Sequence, residues 1–229
     1  MEGETGLSVS PLYIMEGDRL LNKILAAVMT AGIVIAFFFG FQWWSSIQAV
    51  EEVPLEEIEQ WDQVKDAPSM EKQTIERKEK PPVYTEDLET FKQGDEVGRV
   101  IIPKLEKGFK VYWGADEESL KRGVGMYVSQ WTTTPKEQRH TVLSGHRETV
   151  FTGLGEVEEG DSIFVEFQNK RYEYRVAKTW VTDAKDRTVI VDKDEPVLTL
   201  TTCYPFEFVG DAPDRYIIEA TLESVNKIE

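Results

Sequence analysis

The chain has one cysteine, Cys203, and two histidines, His140 and His146. A thiol can attack a carbonyl carbon when a neighbouring histidine transfers the proton, and a cation near the carbonyl oxygen stabilises the oxyanion that develops. Arg215 follows Cys203 after a short loop and could supply that cation. These residue types predict acyl transfer by a cysteine nucleophile, provided that the fold brings them together.

Taken singly, each of these residues also has a purely structural explanation. A lone cysteine is most often a small buried hydrophobic residue, a histidine at a strand end is common, and an arginine among acidic neighbours usually forms a surface salt bridge. His140 follows a polar loop, so we expect it to begin a strand rather than to catalyse. The chemical interpretation therefore depends on whether the other three residues share a surface.

Three strand-like segments carry the candidate residues, and their alternation indicates which way each side chain points. These segments are TVLSGH, VLTLTTC and RYIIEATL, at residues 141–146, 197–203 and 215–222. If the leucines of VLTLTTC face the core, Cys203 faces away from it, and the same alternation turns His146 and Arg215 outward. The three side chains share one surface if the three strands are neighbours.

From residue 97 onward, short apolar runs separated by turn residues predict a mainly β domain. The runs are residues 98–103, 141–146, 161–167, 171–181, 188–191, 197–203 and 215–222. Gln168-Asn169-Lys170 would join two of them as a hairpin, and residues 117–122 predict a short helix that ends at Gly123. Many short strands with one or two helices indicate a closed or nearly closed β-barrel, with a sandwich as the less favoured alternative.

An uncharged apolar run precedes Trp43 and Trp44 near the N-terminus. Its length suits a helix that crosses a bilayer with the tryptophans at the interface, so we assign residues 24–44 to an uncleaved transmembrane anchor. Arg19 and Lys23 precede the run and acidic residues follow it, so the positive-inside rule predicts a cytoplasmic N-terminus and an extracytoplasmic body. A cleaved signal peptide is the alternative, but no small-x-small cleavage site follows the tryptophans.

The amino-acid composition sets the predicted boundaries of the other segments of the chain. Residues 1–23 form the predicted cytoplasmic segment and residues 97–229 the predicted catalytic domain. Residues 45–96 are acidic and rich in proline, which predicts an extracytoplasmic stalk. Apolar residues recur every three positions after Pro54 and predict a short amphipathic helix within the stalk.

The net charge of −16 limits the classes of molecule that the protein can bind. Nucleic-acid binding needs a basic surface, so an acidic body argues against it. An acidic body is also repelled by anionic lipid headgroups, which favours a domain that stands off the membrane. With one cysteine, no disulfide can form within the chain.

The candidate residues lie in segments that resemble the signatures of a known family. SGHRETVF, TLTTCYPF and APDRYIIEA, at residues 144–151, 199–206 and 212–220, are similar in order and spacing to the signature segments of sortases. GRVIIP and GADEESLKRGVGMY, at residues 98–103 and 114–127, resemble the first strand and early helix of that family. The resemblance covers residues 97–229 and the N-terminal anchor, and it is greatest to class D sortases.

The resemblance implies a fold, an activity and roles for individual residues. The fold would be a sortase β-barrel of about eight strands, with Cys203 as nucleophile, His146 as acid and base, and Arg215 as the oxyanion-stabilising cation. Thr202 would help to orient the substrate. The implied substrates are secreted proteins with an LPxTG-like sorting signal, such as LPNTA, which the enzyme would cleave after Thr through a Cys thioester. The implied acceptor is an amine of a peptidoglycan precursor at the surface of a Gram-positive cell.

Other classes of protein fit the residues less well. A wall L,D-transpeptidase would carry its cysteine in an SHGC-type run, whereas here it lies in TTCYP. A membrane-tethered cysteine peptidase that releases its substrate by hydrolysis differs only in the molecule that resolves the thioester. A non-enzymatic anchored binding module would require Cys203, His146 and Arg215 all to be structural.

No cofactor is expected from the residues available. One cysteine and two histidines give no cluster with the spacing of a metal site. Calcium is the alternative that the acidic run after residue 155 leaves open, because its carboxylates could contribute to an oxygen site, although a solvated turn is the favoured interpretation. The carboxylates of this run are Glu156, Glu158, Glu159 and Asp161.

Overall fold

The structure is a computed structural model that describes residues 11–47, 50–54, 56, 90–207, 210 and 212–228. The chain divides into two compact units between Ser45 and Ser46. Helix α1, Pro11–Ile47, contains a 21-residue stretch, Leu21–Phe41, that is long and apolar enough to cross a membrane. The side chains of Leu21–Phe41 are exposed, which is the pattern expected of a helix that would cross a bilayer. The predicted apolar helix is therefore confirmed.

The described part of the second unit is mainly β. Its strands are β1 Val50–Glu52, β2 Glu96–Ile102, β3 Lys107–Trp113, β4 Val124–Met126, β5 His140–Ser144, β6 Ser162–Phe167, β7 Lys170–Asp183, β8 Val197–Tyr204 and β9 Asp214–Lys227. Eight of them pair in the order β3-β2-β6-β7-β9-β8-β5-β4, and β4 pairs with β3 to close the ring. The predicted closed barrel of about eight strands is confirmed.

Two local predictions are confirmed by the backbone. Gln168 and Asn169 join β6 to β7 with φ values of 47° and 60°, the left-handed pair that a two-residue hairpin turn requires. Helix α2, Glu117–Arg122, ends at Gly123 as predicted. It begins at Asp116, whose carboxylate accepts the backbone N–H groups of Glu118 and Ser119.

The prediction of a strand at residues 188–191 is wrong. The Asp186 carboxylate accepts hydrogen bonds from both the backbone N–H and the hydroxyl of Thr188, which curls the chain there. The carbonyl of Val191 accepts from the ring of His140 instead of joining a sheet ladder. This segment is part of a long loop, residues 184–196, that connects β7 to β8.

The barrel encloses one continuous apolar core, and aromatic rings occupy much of it. Burying a large apolar side chain of this kind contributes about 1.5–3 kcal/mol relative to leaving it exposed. The fully buried rings include Phe109, Phe151, Phe167, Tyr172 and Tyr174. The core therefore fixes the strands whose ends carry the candidate residues.

A ninth strand, β1, lies within the range predicted as stalk. It pairs antiparallel with the first half of β3, outside the closed ring. Just after it, Val53 is 2% exposed and packs with Ile101 and Phe164 on the outside of the barrel. The prediction of a stalk over residues 45–96 is wrong for residues 50–54, which pair and pack with the barrel. It is also wrong for the last residues of that range, since Phe91 packs against the core and Glu96 begins β2. The amphipathic helix predicted after Pro54 lies outside the described residues.

Candidate active site

Cys203, His146 and Arg215 lie in one row across three neighbouring strands. Cys203 in β8 is directly opposite Arg215 in β9. Strand β5 runs parallel to β8, with Ser144 paired with Thr201. Two residues further along each chain, His146 and Cys203 therefore reach the same level. The sheet therefore brings together the three side chains that the sequence pattern predicts to face outward.

The segment that carries His146 is held close to β8 beyond the end of β5. The backbone N–H of Gly145 donates to the carbonyl of Thr201 at 3.2 Å, and the N–H of Phe151 donates to the carbonyl of His146 at 3.0 Å. A side chain at Gly145 would come within 2.7 Å of both Val150 and Phe151. The glycine therefore lets the chain turn tightly and returns Phe151 to the core.

The candidate residues are half-buried, whereas their neighbours on the inner face are not exposed at all. Leu198 and Leu200 are 0% exposed, and Cys203 is a free thiol of intermediate exposure, as are the side chains of His146 and Arg215. The predicted outward placement of Cys203 is confirmed. A substrate can reach all three side chains from the outside of the barrel.

Helix α2 lies near the imidazole. The pKa of Glu117, in the first turn of α2, is lowered chiefly by its hydrogen bond and ion pair with Lys121, and to a smaller extent by the charge of His146. The Glu117 side chain is largely exposed. The start of α2 therefore borders the row on its histidine side.

Arg215 does not form the surface salt bridge that its acidic neighbours suggest. Its Nη1 donates to the backbone carbonyls of Ala212 and Asp214, at 3.3 and 2.9 Å. The carboxylate of Glu219 is bound instead by Lys178 and Lys193. Within the described residues Arg215 has no carboxylate partner, so its charge can act on an oxygen of a substrate bound at Cys203.

The comparisons with known proteins decide the family. The Sortase domain model matches residues 100–223, which include the whole row. The chain belongs to the sortase family. It is 33% identical over 192 residues to Sortase D of Bacillus subtilis, an alignment that covers 83% of this chain and 93% of that protein. The resemblance to class D sortases is therefore confirmed, and the chain is a cysteine transpeptidase.

Solved structures agree with this assignment. The catalytic domain of B. anthracis SrtD is 52% identical, with a TM-score of 0.53, over 67% of this chain and 99% of that chain. Sortase D5 of Clostridium perfringens is 26% identical with a TM-score of 0.53, over 60% of this chain and 84% of that one. Sortases act in cell-wall sorting, and the apolar helix of this sortase fits a membrane anchor.

Thr202 lies on the inner face of β8, between the row and the core. It is 3% exposed, and its hydroxyl donates to the carbonyl of Gly145 at 2.7 Å. This bond ties the residue before the nucleophile to the residue before the histidine. The structure thus shows Thr202 as a link between the two segments, and its predicted role in orienting the substrate stays a prediction.

His140, at the other end of β5, is structural, as expected. It is 0% exposed; Nδ1–H donates to the carbonyl of Val191 at 2.6 Å, and Nε2 lies 2.9 Å from the hydroxyl of Thr199, which donates to it. Burial lowers the pKa of His140 to about 4. The ring is therefore neutral at physiological pH and fastens the β7–β8 loop to the barrel.

Two ion pairs fasten the same loop. Arg139 binds Asp192 at 2.5 Å, and Lys193 binds Glu219 on β9. An open cleft of about 680 Å³ lies along the loop, lined by residues that include Lys178 and Glu219 but none of the catalytic row. Sequence reasoning missed these contacts because they join residues far apart in the chain and leave no periodic signal.

The described residues contain no group of three His, Cys, Asp or Glu side chains that could hold a metal ion. In the acidic run, the carboxylate of Asp161 accepts the backbone N–H of Glu158 at 2.9 Å. One of the carboxylates considered for calcium is thus engaged in forming its own turn. That the protein needs no metal stays a prediction, with calcium as the alternative to be tested.

Proposed function

We propose that this sortase is a membrane-anchored transpeptidase that cleaves an LPxTG-like sorting signal, including LPNTA, after its Thr. It then joins the secreted protein to an amine of a peptidoglycan precursor. The observation that carries the proposal is the row formed by Cys203, His146 and Arg215 at the open end of three paired strands. The row supplies a nucleophile, a proton carrier and a cation within reach of one carbonyl group.

In the first step, the Cys203 thiolate attacks the carbonyl carbon of the Thr residue. The negative charge that develops on the carbonyl oxygen is stabilised by Arg215, which lies opposite the nucleophile in the adjacent strand. As the carbon–nitrogen bond breaks, His146 gives its proton to the departing amine. The products of this step are a thioester on Cys203 and a free C-terminal fragment.

In the second step, an amine attacks the thioester. His146, now neutral, accepts the proton of the attacking amine, and Cys203 leaves as a thiolate when the new amide forms. Water can attack in the same way and gives the hydrolysis product. The enzyme then returns to the protonation state in which it started.

The proposed location follows from the helix and its flanking charges. Leu21–Phe41 would span the membrane, with Arg19 and Lys23 on the cytoplasmic side. The catalytic domain would then face the outside, where both sorting signals and peptidoglycan amines are found. Cysteine labelling with a membrane-impermeant reagent in intact cells tests this orientation, since Cys203 is the only thiol.

The test of the activity uses the full-length protein in detergent micelles. Fluorogenic LPNTA and LPETG peptides are supplied with and without a peptidoglycan-type amine, and the intact protein is weighed by mass spectrometry. We expect cleavage after Thr, a thioester on Cys203, and a ligated product when the amine is present. Cys203→Ala is the control and should give none of the three.

Two outcomes would contradict the proposal. Cleavage without ligation at any amine concentration would make the protein a hydrolytic peptidase. A folded protein that neither cleaves nor forms an adduct with a broad panel of LPxTG-like peptides would contradict the proposed substrate class.

A further inference from the structure

A buried arginine follows the catalytic histidine directly. Arg147 is 3% exposed. Its Nε donates to Glu148 at 2.8 Å, its Nη1 to the carbonyl of Pro205 at 2.9 Å, and its Nη2 to the carbonyl of Gly210 at 2.8 Å. A guanidinium is costly to bury unless its donors are used, and here all three nitrogens have acceptors.

The two backbone acceptors belong to one loop. Residues 205–213 connect β8 to β9, and so they join Cys203 to Arg215. The ladder between these strands ends at Tyr204 and Asp214, one residue beyond the row. Beyond that point Arg147 bonds to the loop at its first residue, Pro205, and in its second half, at Gly210, while the carbonyl of Pro213 at the far end accepts the N–H of Ala184.

Arg147 therefore connects all three members of the row. It is covalently adjacent to His146, and through Pro205 and Gly210 it holds the loop that joins the other two. A planar guanidinium can bind acceptors on three sides at fixed angles, whereas the flexible ammonium of a lysine cannot reproduce that arrangement. The contacts thus depend on the shape of arginine as well as on its charge.

We infer that Arg147 is a positioning residue for transpeptidation, an inference that rests on the proposed function. It fixes the β8–β9 loop against the histidine segment so that the imidazole, the thiol and the guanidinium of Arg215 keep one geometry. Misplacing reacting groups by about 1 Å costs on the order of 10²-fold in rate. Loosening this link should therefore lower the rate of the chemical step more than it weakens peptide binding.

The experiment compares Arg147→Lys with Arg171→Lys in full-length protein in detergent. Arg171 is a matched control, because it is largely buried, binds Glu166 through Nε and Nη2, and lies at the opposite end of β7 from the site. Peptide cleavage gives kcat and KM. We expect Arg147→Lys to lower kcat by about ten-fold or more with KM changed by less than about three-fold. Arg171→Lys should retain both constants at the same temperature.

A second measurement reports on the loop without any substrate. Glu207 lies in the loop and is exposed, so a glutamate-specific protease can cut after it when the loop is loose. We expect cleavage after Glu207 to be about ten-fold faster in Arg147→Lys than in the wild type or Arg171→Lys, because local opening governs proteolysis. This result holds even if the wild type cleaves none of the peptides, which would count only against the proposed function.

Three outcomes would overturn the inference. The first is a folded Arg147→Lys protein with wild-type kcat and wild-type proteolysis after Glu207. The second is an equal loss of kcat in both lysine variants, which would show a general effect on stability. The third is failure of both Arg147→Lys and Arg147→Gln to fold while Arg171→Lys folds, because Arg147 would then be needed for the whole barrel.

Discussion

The two histidines of this protein lie near opposite ends of β5 and have opposite environments. His140 is fully buried and both of its ring nitrogens are bonded, to Val191 and Thr199. His146 lies two residues beyond the other end of the strand, half-buried, and its ring nitrogens have no hydrogen-bond partner among the described residues. One imidazole is fixed and neutral, and the other is available to a substrate.

The difference shows that the burial and hydrogen bonding of an imidazole decide whether it can exchange a proton with a substrate. Burial stabilises the neutral form of His140 and lowers its pKa to about 4. A general acid must exchange protons with a bound substrate near neutral pH, which a sealed imidazole cannot do. Two measurements test this contrast directly, and a third tests whether the loop that His140 fastens also depends on a metal.

The largest effect is expected from His146→Gln. It removes the group that we propose protonates the leaving amine, so kcat/KM for the proposed sorting peptide should fall by about 10³-fold. The melting temperature should hardly change, because the ring is half-exposed and makes no hydrogen bond within the described residues. Peptide cleavage and thermal unfolding of the same preparation check both statements. A variant that retains cleavage would remove His146 from the mechanism.

Acid should destabilise the barrel through His140. Its pKa is 6.5 in an unfolded chain and about 4 in the fold, so the unfolded state binds a proton first as the pH falls. His140 should therefore cost stability progressively from about pH 6.5 down to about pH 4, by about 3 kcal/mol in total. Urea unfolding of the wild type and His140→Phe at several pH values measures this contribution.

The phenylalanine variant gives the control for the acid experiment. At pH 7.5 it should be less stable than the wild type by about 1–3 kcal/mol, because the carbonyl of Val191 and the hydroxyl of Thr199 lose their partner. Its stability should then decline less steeply between pH 6.5 and pH 4. Parallel curves for the two proteins would show that another group causes the acid sensitivity.

The smallest effect is expected from removing divalent cations. The β7–β8 loop is already fastened by His140, by the pair Arg139–Asp192 and by the pair Lys193–Glu219. Since these contacts already hold the loop, and Asp161 in the acidic run already binds the N–H of Glu158, we propose that neither segment needs a metal to order it. We expect EDTA or added calcium to change kcat/KM by less than about two-fold. Activation of several-fold by calcium would instead assign a role to the acidic run that contains Asp161.

The sequence predicted that Cys203, His146 and Arg215 share one surface because most of that signal is local and periodic. Alternation in the strands that became β8 and β9 turns Cys203 and Arg215 outward, whereas His146 lies beyond β5, whose Val142 and Leu143 are both buried, and depends on the turn at Gly145. The same method failed where the pattern was short or interrupted. Strand β4 has only three residues, and its Gly125 is there because a side chain would come within 2.7 Å of the carbonyl of Gly114.

Other features could not be predicted because they depend on contacts between distant residues. Arg147 is charged, which favours a surface position, and its burial is explained by its bonds to Glu148 and to the carbonyls of Pro205 and Gly210. Residues 188–191 have the β-branched composition of a strand, but Asp186 and His140 take the bonds that a ladder would need. In both cases the tertiary contacts outweigh the local preference.

The strand that precedes the catalytic barrel has a practical consequence for handling the enzyme. A soluble fragment that starts after residue 54 would lack β1 and Val53, leaving Ile101 and Phe164 in contact with water. It would also leave the backbone groups of Lys107–Phe109 that β1 pairs with open to strands of other molecules. Such a fragment should self-associate and precipitate, whereas one that begins just before Val50 should stay monomeric.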